Sequence, residues 1–390
     1  MPNVNVGVGI SRLPDTVAAI HAAVRDAMEQ ARLERARWAF CFFTGSHLPR
    51  ANDIRDTILG GTGCAALCGC SALGVMGRGE EIDSGPAVAV LVGSSPAIET
   101  HSRMLPGDGK GLGDVAALAR RAGTGEALIV FPDSFQVDNT RLRDQLEAEA
   151  AFLPVAGAGA TDDGTLGISL QVGMEGVRSS SIAVMGLSGD MKVEVGITQT
   201  CEPVGEPHFI TQAKDFILVE LDGRPALNTY VEQGQALGME TFQDAADQLM
   251  FGFPVDSQAP SFAGDACLVR PLAGFDQASH GLVVPYPFKP RSTVGFMHRN
   301  PEVAERDMAR MVEQVGARLS GAPDFALYFD CAARGRRLYG RGGVDLQVIR
   351  RRLGDFPLLG MFGGFELAMA LGIPRVYTYT GVLVLFRVNG

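Results

Sequence analysis

No stretch of this 390-residue sequence approaches the roughly 18–20 consecutive apolar residues that a bilayer-spanning helix needs, so no membrane span is expected. The opening residues, Met1-Pro2-Asn3-Val4-Asn5-Val6, lack the basic-then-apolar layout of a secretory leader, and the expected location is the cytoplasm. Basic residues are outnumbered, 34 Lys and Arg against 44 Asp and Glu, for a net charge of −10. Nucleic-acid phosphates demand a basic surface, so nucleic acid is not an expected partner. The glycine-rich runs Gly60-Gly61-Thr62-Gly63 and Gly340-Arg341-Gly342-Gly343 lack the Gly-Lys-Ser/Thr ending of a phosphate loop and read as turns. The seven cysteines are odd in number, and several (Cys41, Cys68, Cys70, Cys267) fall inside apolar stretches, as reduced thiols used as small hydrophobes do. The spacing of Cys64, Cys68 and Cys70 is not a standard zinc pattern, and no metal site is expected.

What the sequence does contain is a repeat. An apolar strand, a polar helix, a strand centred on glycine and a final apolar strand recur three times. In the first copy Ala39-Phe40-Cys41-Phe42-Phe43 leads to Leu67-Cys68-Gly69-Cys70-Ser71 and then Ala87-Val88-Ala89-Val90-Leu91-Val92. The second runs from Ala127-Leu128-Ile129-Val130-Phe131 through Val155-Ala156-Gly157-Ala158 to Ser181-Ile182-Ala183-Val184-Met185. The third runs from Ala326-Leu327-Tyr328-Phe329 through Leu359-Gly360-Met361-Phe362 to Val382-Leu383-Val384-Leu385-Phe386. The first strand and the glycine are 30 positions apart in the first two copies and 34 in the third. The extra residues fall in Cys331-Ala332-Ala333-Arg334-Gly335-Arg336-Arg337-Leu338, where a surface loop would carry added function.

Helical spacing of apolar residues predicts helices over about 15–35, 51–59, 112–122, 139–149, 301–319 and 344–353, with Asp15 and Asn300 as N-caps. Strands joined through a helix are expected to lie parallel, and the closing strands to pair antiparallel with their neighbours. The fold class is therefore α/β to α+β, with two similar domains built from repeated α-β-α-β-β units whose mixed sheets are covered by helices. The expected division is 1–189, holding two repeats, and 190–390, holding a degenerate copy and the third clear one.

Four stretches carry a resemblance to a known family: Gly69-Cys70-Ser71-Ala72-Leu73-Gly74, Leu221-Asp222-Gly223-Arg224-Pro225-Ala226, Cys331-Ala332-Ala333-Arg334-Gly335, and Gly360-Met361-Phe362-Gly363-Gly364-Phe365-Glu366 followed by Thr380. In their order the chain resembles a FIST protein, with a FIST N-terminal domain over about residues 30–220 and a FIST C-terminal domain over the rest. The resemblance implies a sensory protein that binds a small molecule, such as an amino acid, and signals through a separate histidine kinase or cyclase. Some members bind haem and sense nitric oxide, and a homodimer is a further assembly to test. Phe365 stands where the family usually has glycine, and Tyr377-Thr378-Tyr379 replaces a polar neighbourhood, so a more aromatic pocket is expected.

The ligand-binding residues expected are Cys331, Arg334, Gly335, Phe362, Gly363, Gly364, Glu366 and Thr380. An arginine fork and a carboxylate can grip the two ends of a zwitterion; equally, Arg334 and Glu366 can simply pair with each other. A second reading makes Cys331 the nucleophile of a hydrolase or transferase, although a cysteine nucleophile needs a base and no histidine is near it in sequence. For haem, His298 at the end of Thr293-Val294-Gly295-Phe296-Met297 is the candidate axial ligand, with Arg299 placed to meet a propionate.

Overall fold

The strands that open the three repeats are apolar at nearly every position, which is stable only when both sheet faces are covered. The computed structural model describes residues 4–120, 125–151, 153–288 and 291–389, and it shows that covering. The chain forms two compact units. One comprises residues 1–197, 308–376 and 380–390; the other comprises residues 198–307 and 377–379. This partition is discontinuous, and so differs in kind from the linear halves 1–189 and 190–390.

In the first unit each repeat builds one sheet. Trp38–Thr44 pairs parallel with Ala66–Ala72 and antiparallel with Val88–Ser94. Gly125–Pro132 pairs in the same way with Val155–Ala158 and Ser181–Gly189, and Phe325–Cys331 with Leu358–Gly363 and Thr380–Val388. The closing strand therefore pairs with the opening strand and not with the glycine strand that precedes it. The reason lies in what separates them: each glycine strand runs on into a β-hairpin that leaves its own sheet.

Those hairpins interlock the repeats in a ring. Gly74–Gly77, from the first repeat, pairs with Leu358–Gly363 of the third. Gln171–Gly173, from the second, pairs with Ala66–Ala72 of the first, and Glu366–Ala370, from the third, pairs with Val155–Ala158 of the second. Backbone bonds at the strand ends follow the same cycle: Leu73 N to Phe362 O (3.0 Å), Thr161 N to Ser71 O (3.1 Å) and Gly364 N to Gly159 O (3.0 Å). At the centre of the ring sit three phenylalanines from equivalent strand positions, Phe42, Phe131 and Phe329. Their centroids are 5.2, 6.4 and 5.5 Å apart, all edge-to-face, the arrangement that aromatic quadrupoles favour.

The other strand faces pack outward against helices. Thr16–Ala31 and Ala51–Thr62 cover the first sheet, burying Ile20, Ala23, Ala27, Ile54 and Ile58. Leu112–Ala119 and Asn139–Glu149 cover the second, and Pro301–Leu319 and Val344–Leu353 the third. The expected caps form: Asp15 accepts from Ala18 N at 2.8 Å, and Asn300 accepts from Glu302 N at 3.0 Å. The end of the helix predicted over 112–122 lies partly outside the described residues.

The second unit interrupts the third repeat between its edge strand Met191–Gln199 and its helix. Its strands run in the order Cys267–Arg270, Leu249–Pro254, Thr293–Arg299, Cys201–Lys214, Ile217–Leu221, Gly281–Val283, Gly274–Asp276. Every pairing recorded in it is antiparallel, so the parallel pair that marks the repeat is not among its described residues. A small core forms from Cys201, Met250, Cys267, Val269 and Met297. Among the described residues no helix is long and apolar enough to cross a membrane.

Candidate functional site

The third repeat departs from the other two just after its opening strand. Six residues link strand to helix in the first two repeats, Gly45–Arg50 and residues 133–138, whereas residues 332–343 do so here. The added length folds into a short helix, Arg336–Tyr339, entered through Gly335 at φ +57°. A side chain at Gly335 would meet the Phe362 ring at 2.8 Å, so glycine is required both by conformation and by space.

This loop turns Arg334 inward. Its side chain is 0% exposed, with Nε 2.7 Å from Asp330 Oδ1 and Nη2 2.7 Å from Asp345 Oδ2. Nη2 also donates to Tyr339 Oη at 3.0 Å. Tyr339 Oη donates to Asp345 Oδ1 at 2.8 Å, and Tyr328 Oη donates to Asp345 Oδ2 at 2.8 Å. The pairing of Arg334 with Glu366 raised from sequence is thus replaced by a clamp on Asp330 and Asp345. Asp330 is marked in the sequence as the one charged residue in the run Phe325–Cys331, whereas Asp345 has no such mark.

Glu366 is held separately. Thr380 Oγ1 donates to Glu366 Oε2 at 2.6 Å, and the Cys331 thiol also bonds to this carboxyl. Burial pushes Glu366 up to about 8, against the opposing pull of the Thr380 bonds and of Arg334. Burial likewise pushes Asp330 well above the carboxylate range despite Arg334, and its Oδ2 has no hydrogen-bond partner among the described residues. Glu81, on the hairpin lent by the first repeat, accepts from Gly343 N at 2.8 Å and is pushed up by burial to about 7. The centre therefore gathers several carboxyls around one guanidinium, and its chemistry is that of a proton-holding acidic cluster.

The repeat geometry explains Glu366 further. Glu366 faces Ala158 across its hairpin pairing as Gln171 faces Cys70 in the equivalent pairing. Gln171, also fully buried, contacts Ser181 Oγ at 3.0 Å, and Ser181 opens its strand as Thr380 opens the third repeat's closing strand. A neutral amide thus occupies in one repeat the place that a carboxyl occupies in the other, which agrees with a Glu366 that retains its proton near neutrality.

Cys331, Arg334, Gly335, Phe362, Gly363, Glu366 and Thr380 are all buried, and only Gly364 is exposed. The eight residues come together on three adjoining segments, but the guanidinium is consumed internally. Phe365 does not widen a pocket: it packs in the second-repeat core, against the position that a side chain on Gly159 would need. Tyr377 Oη and Thr378 Oγ1 donate to the carbonyls of Asp265 and Val269 in the second unit. Of the basic residues around it, Arg336 reaches Asp83 at 3.6 Å and Arg350 reaches Asp355 at 2.9 Å, both on the surface.

All seven cysteines are free and buried. A thiol bonded to a carboxyl in a closed site is a poor nucleophile, because it is the thiolate that attacks. Iodoacetamide at neutral pH is accordingly expected to alkylate Cys331 far more slowly in the folded chain than after unfolding, read by peptide mass spectrometry; equal rates would restore the nucleophile reading. His298, the candidate axial ligand, is half-buried in an antiparallel strand between Glu202 and Leu249.

Three interlocked repeats carrying a buried polar centre in the third define a repeat-built mixed α/β protein. Family comparison gives the class its name. The FIST N domain matches residues 37–224 and the FIST C domain matches residues 226–369, and the chain belongs to the FIST family. FIST domains are associated with signal transduction and small-ligand sensing. An uncharacterized protein of Mycobacterium tuberculosis is 28% identical over 98% of this chain and 99% of its own length. One from Mycobacterium bovis is 27% identical over 98% of each.

Proposed function

We propose that this chain is a cytoplasmic small-ligand-binding sensory protein that signals through a separate partner such as a histidine kinase or cyclase. The residues proposed to change state are Cys331, Arg334, Gly335, Phe362, Gly363, Gly364, Glu366 and Thr380. The observation that supports this is the excess of buried carboxyls over cations around Arg334. Such a cluster is a weak source of stability, because desolvation opposes the Coulomb gain, so a small differential interaction can shift it between arrangements. It also sits where the hairpins of the first and third repeats meet the third repeat's opening strand, and those hairpins belong to the third and second sheets of the first unit. Binding would act by favouring one arrangement of the 332–343 loop.

The test is hydrogen exchange of the loop segment, read by mass spectrometry, with the twenty amino acids and short carboxylic acids as probes. A ligand of the proposed kind changes protection at residues 330–343 and raises the melting temperature. No change with any probe, together with no partner kinase or cyclase whose activity responds to the chain, would remove the reading.

A further inference from the structure

Away from the acidic cluster, a cavity of about 290 Å³ opens where the first repeat meets the third. It is lined by two guanidinium groups, Arg78 and Arg350, by Gln30, and by the apolar residues Val8, Leu346, Ile349 and Phe356, of which Phe356 is the most open. The volume lies at the small end of the range for ligand sites, the size of a small metabolite. Both arginines are half exposed, at 48% and 43%, and their carboxylate partners are loose or local: Asp26 at 3.8 Å from Arg78, and Asp355, just past the end of Arg350's own helix, at 2.9 Å. Gln30 spends its Oε1 on Val8 N at 2.7 Å, which orients its NH2 group as the donor left over.

Two features set this cavity apart from a packing gap. Arg78 occupies the first central position of the hairpin turn Gly77-Arg78-Gly79-Glu80 at φ +49°, followed by Gly79 at +78°. That is the pattern of a type I′ turn, which favours Asn, Asp or Gly there; an arginine carries strain of about 1 kcal/mol that the turn itself does not need. The equivalent junction elsewhere in the ring is closed. Where the second repeat's hairpin meets the first repeat's helix, Arg55 donates to the carbonyls of Gly173 and Met174. At the present junction Arg350 instead bonds to Asp355, and the space remains.

We infer that this cavity binds a small organic monocarboxylate with a flat apolar body. The carboxylate meets Arg78 and Arg350, displacing Asp355, and the body lies against Phe356. A guanidinium pair recognises a carboxylate through parallel charge-assisted bonds, and contact with Phe356 adds apolar burial that a fully hydrated phosphate does not gain. The site is separate from the acidic cluster, so binding here can be found whether or not the loop 332–343 responds.

The full chain is titrated by calorimetry with phenylacetate as probe, beside phenylacetamide, which lacks the charge, and inorganic phosphate, which lacks the apolar body. Phenylacetate is expected to bind saturably at millimolar concentration or below, and the other two to bind at least about tenfold more weakly. Arg350→Met and Arg78→Gly are each expected to weaken phenylacetate about tenfold or more. Arg78→Gly suits the turn, so its melting temperature should hold or rise, which separates lost binding from lost folding. Absence of saturable phenylacetate binding, equal affinity for phenylacetamide or phosphate, or unchanged affinity in both variants would each overturn the assignment.

Discussion

Arg334→Met is expected to cost about 3–5 kcal/mol of folding stability at pH 7, measured by urea unfolding. Methionine keeps much of the stem volume, so little of the loss should come from a cavity. The loss comes from Asp330 and Asp345, each held 2.7 Å from the guanidinium in a site from which water is excluded. Without the cation these carboxyls are left in a low-dielectric interior without their ionic partner, which raises the energy of the fold. A cost within about 1 kcal/mol at pH 7 would mean that the clamp is an ordinary set of hydrogen bonds.

Glu366→Gln is expected to remove a large part of the chain's loss of stability toward alkaline pH. The folded-state pKa of Glu366 is raised from 4.5 to about 8, chiefly by burial. Between these values the folded chain binds more protons at this group than the unfolded chain does, so stability is highest below about pH 4.5 and falls as pH rises through 8. The slope contributed is at most about 1.4 kcal/mol per pH unit. Glu81 acts with the same sign, from 4.5 to about 7. The glutamine variant keeps the donor and the shape and cannot ionise, as Gln171 does beside Ser181 in the second repeat. Parity with the parent chain at pH 5 and greater stability at pH 9, by chemical denaturation at each pH, is the expected pattern. Identical pH profiles for the two chains would show that Glu366 is ionised across the range.

Much of this architecture is legible along the chain because it depends on local periodicity. The helices at Asn139–Glu149 and Val344–Leu353 and the caps at Asp15 and Asn300 follow from apolar spacing and from the need of first-turn N–H groups for acceptors. The parallel pairing of opening and glycine strands follows from the helix between them. The destination of the hairpins does not follow. Gly74–Gly77 could pair with its own sheet as readily as with another repeat's, and only the packed ring selects the latter.

The site divides the same way. Cys331, Arg334, Glu366 and Thr380 lie close together, because Cys331, Glu366 and Thr380 end or open three strands of the third repeat and Arg334 follows Cys331 by one turn. The pairing within the site was not legible along the chain. Asp345 is eleven residues beyond Arg334, Glu81 arrives from a different repeat, and neither spacing has a periodicity that sequence can register.

By itself, then, the sequence determined the repeat, the helices and the residues that could carry chemistry, because each of these is a relation between near neighbours. Tertiary structure alone decided that the three copies exchange hairpins, that Phe42, Phe131 and Phe329 meet, and that Arg334 answers to two aspartates. Those outcomes turn on which buried surfaces and charges must satisfy one another once water is gone, and that is settled only when distant segments are packed together.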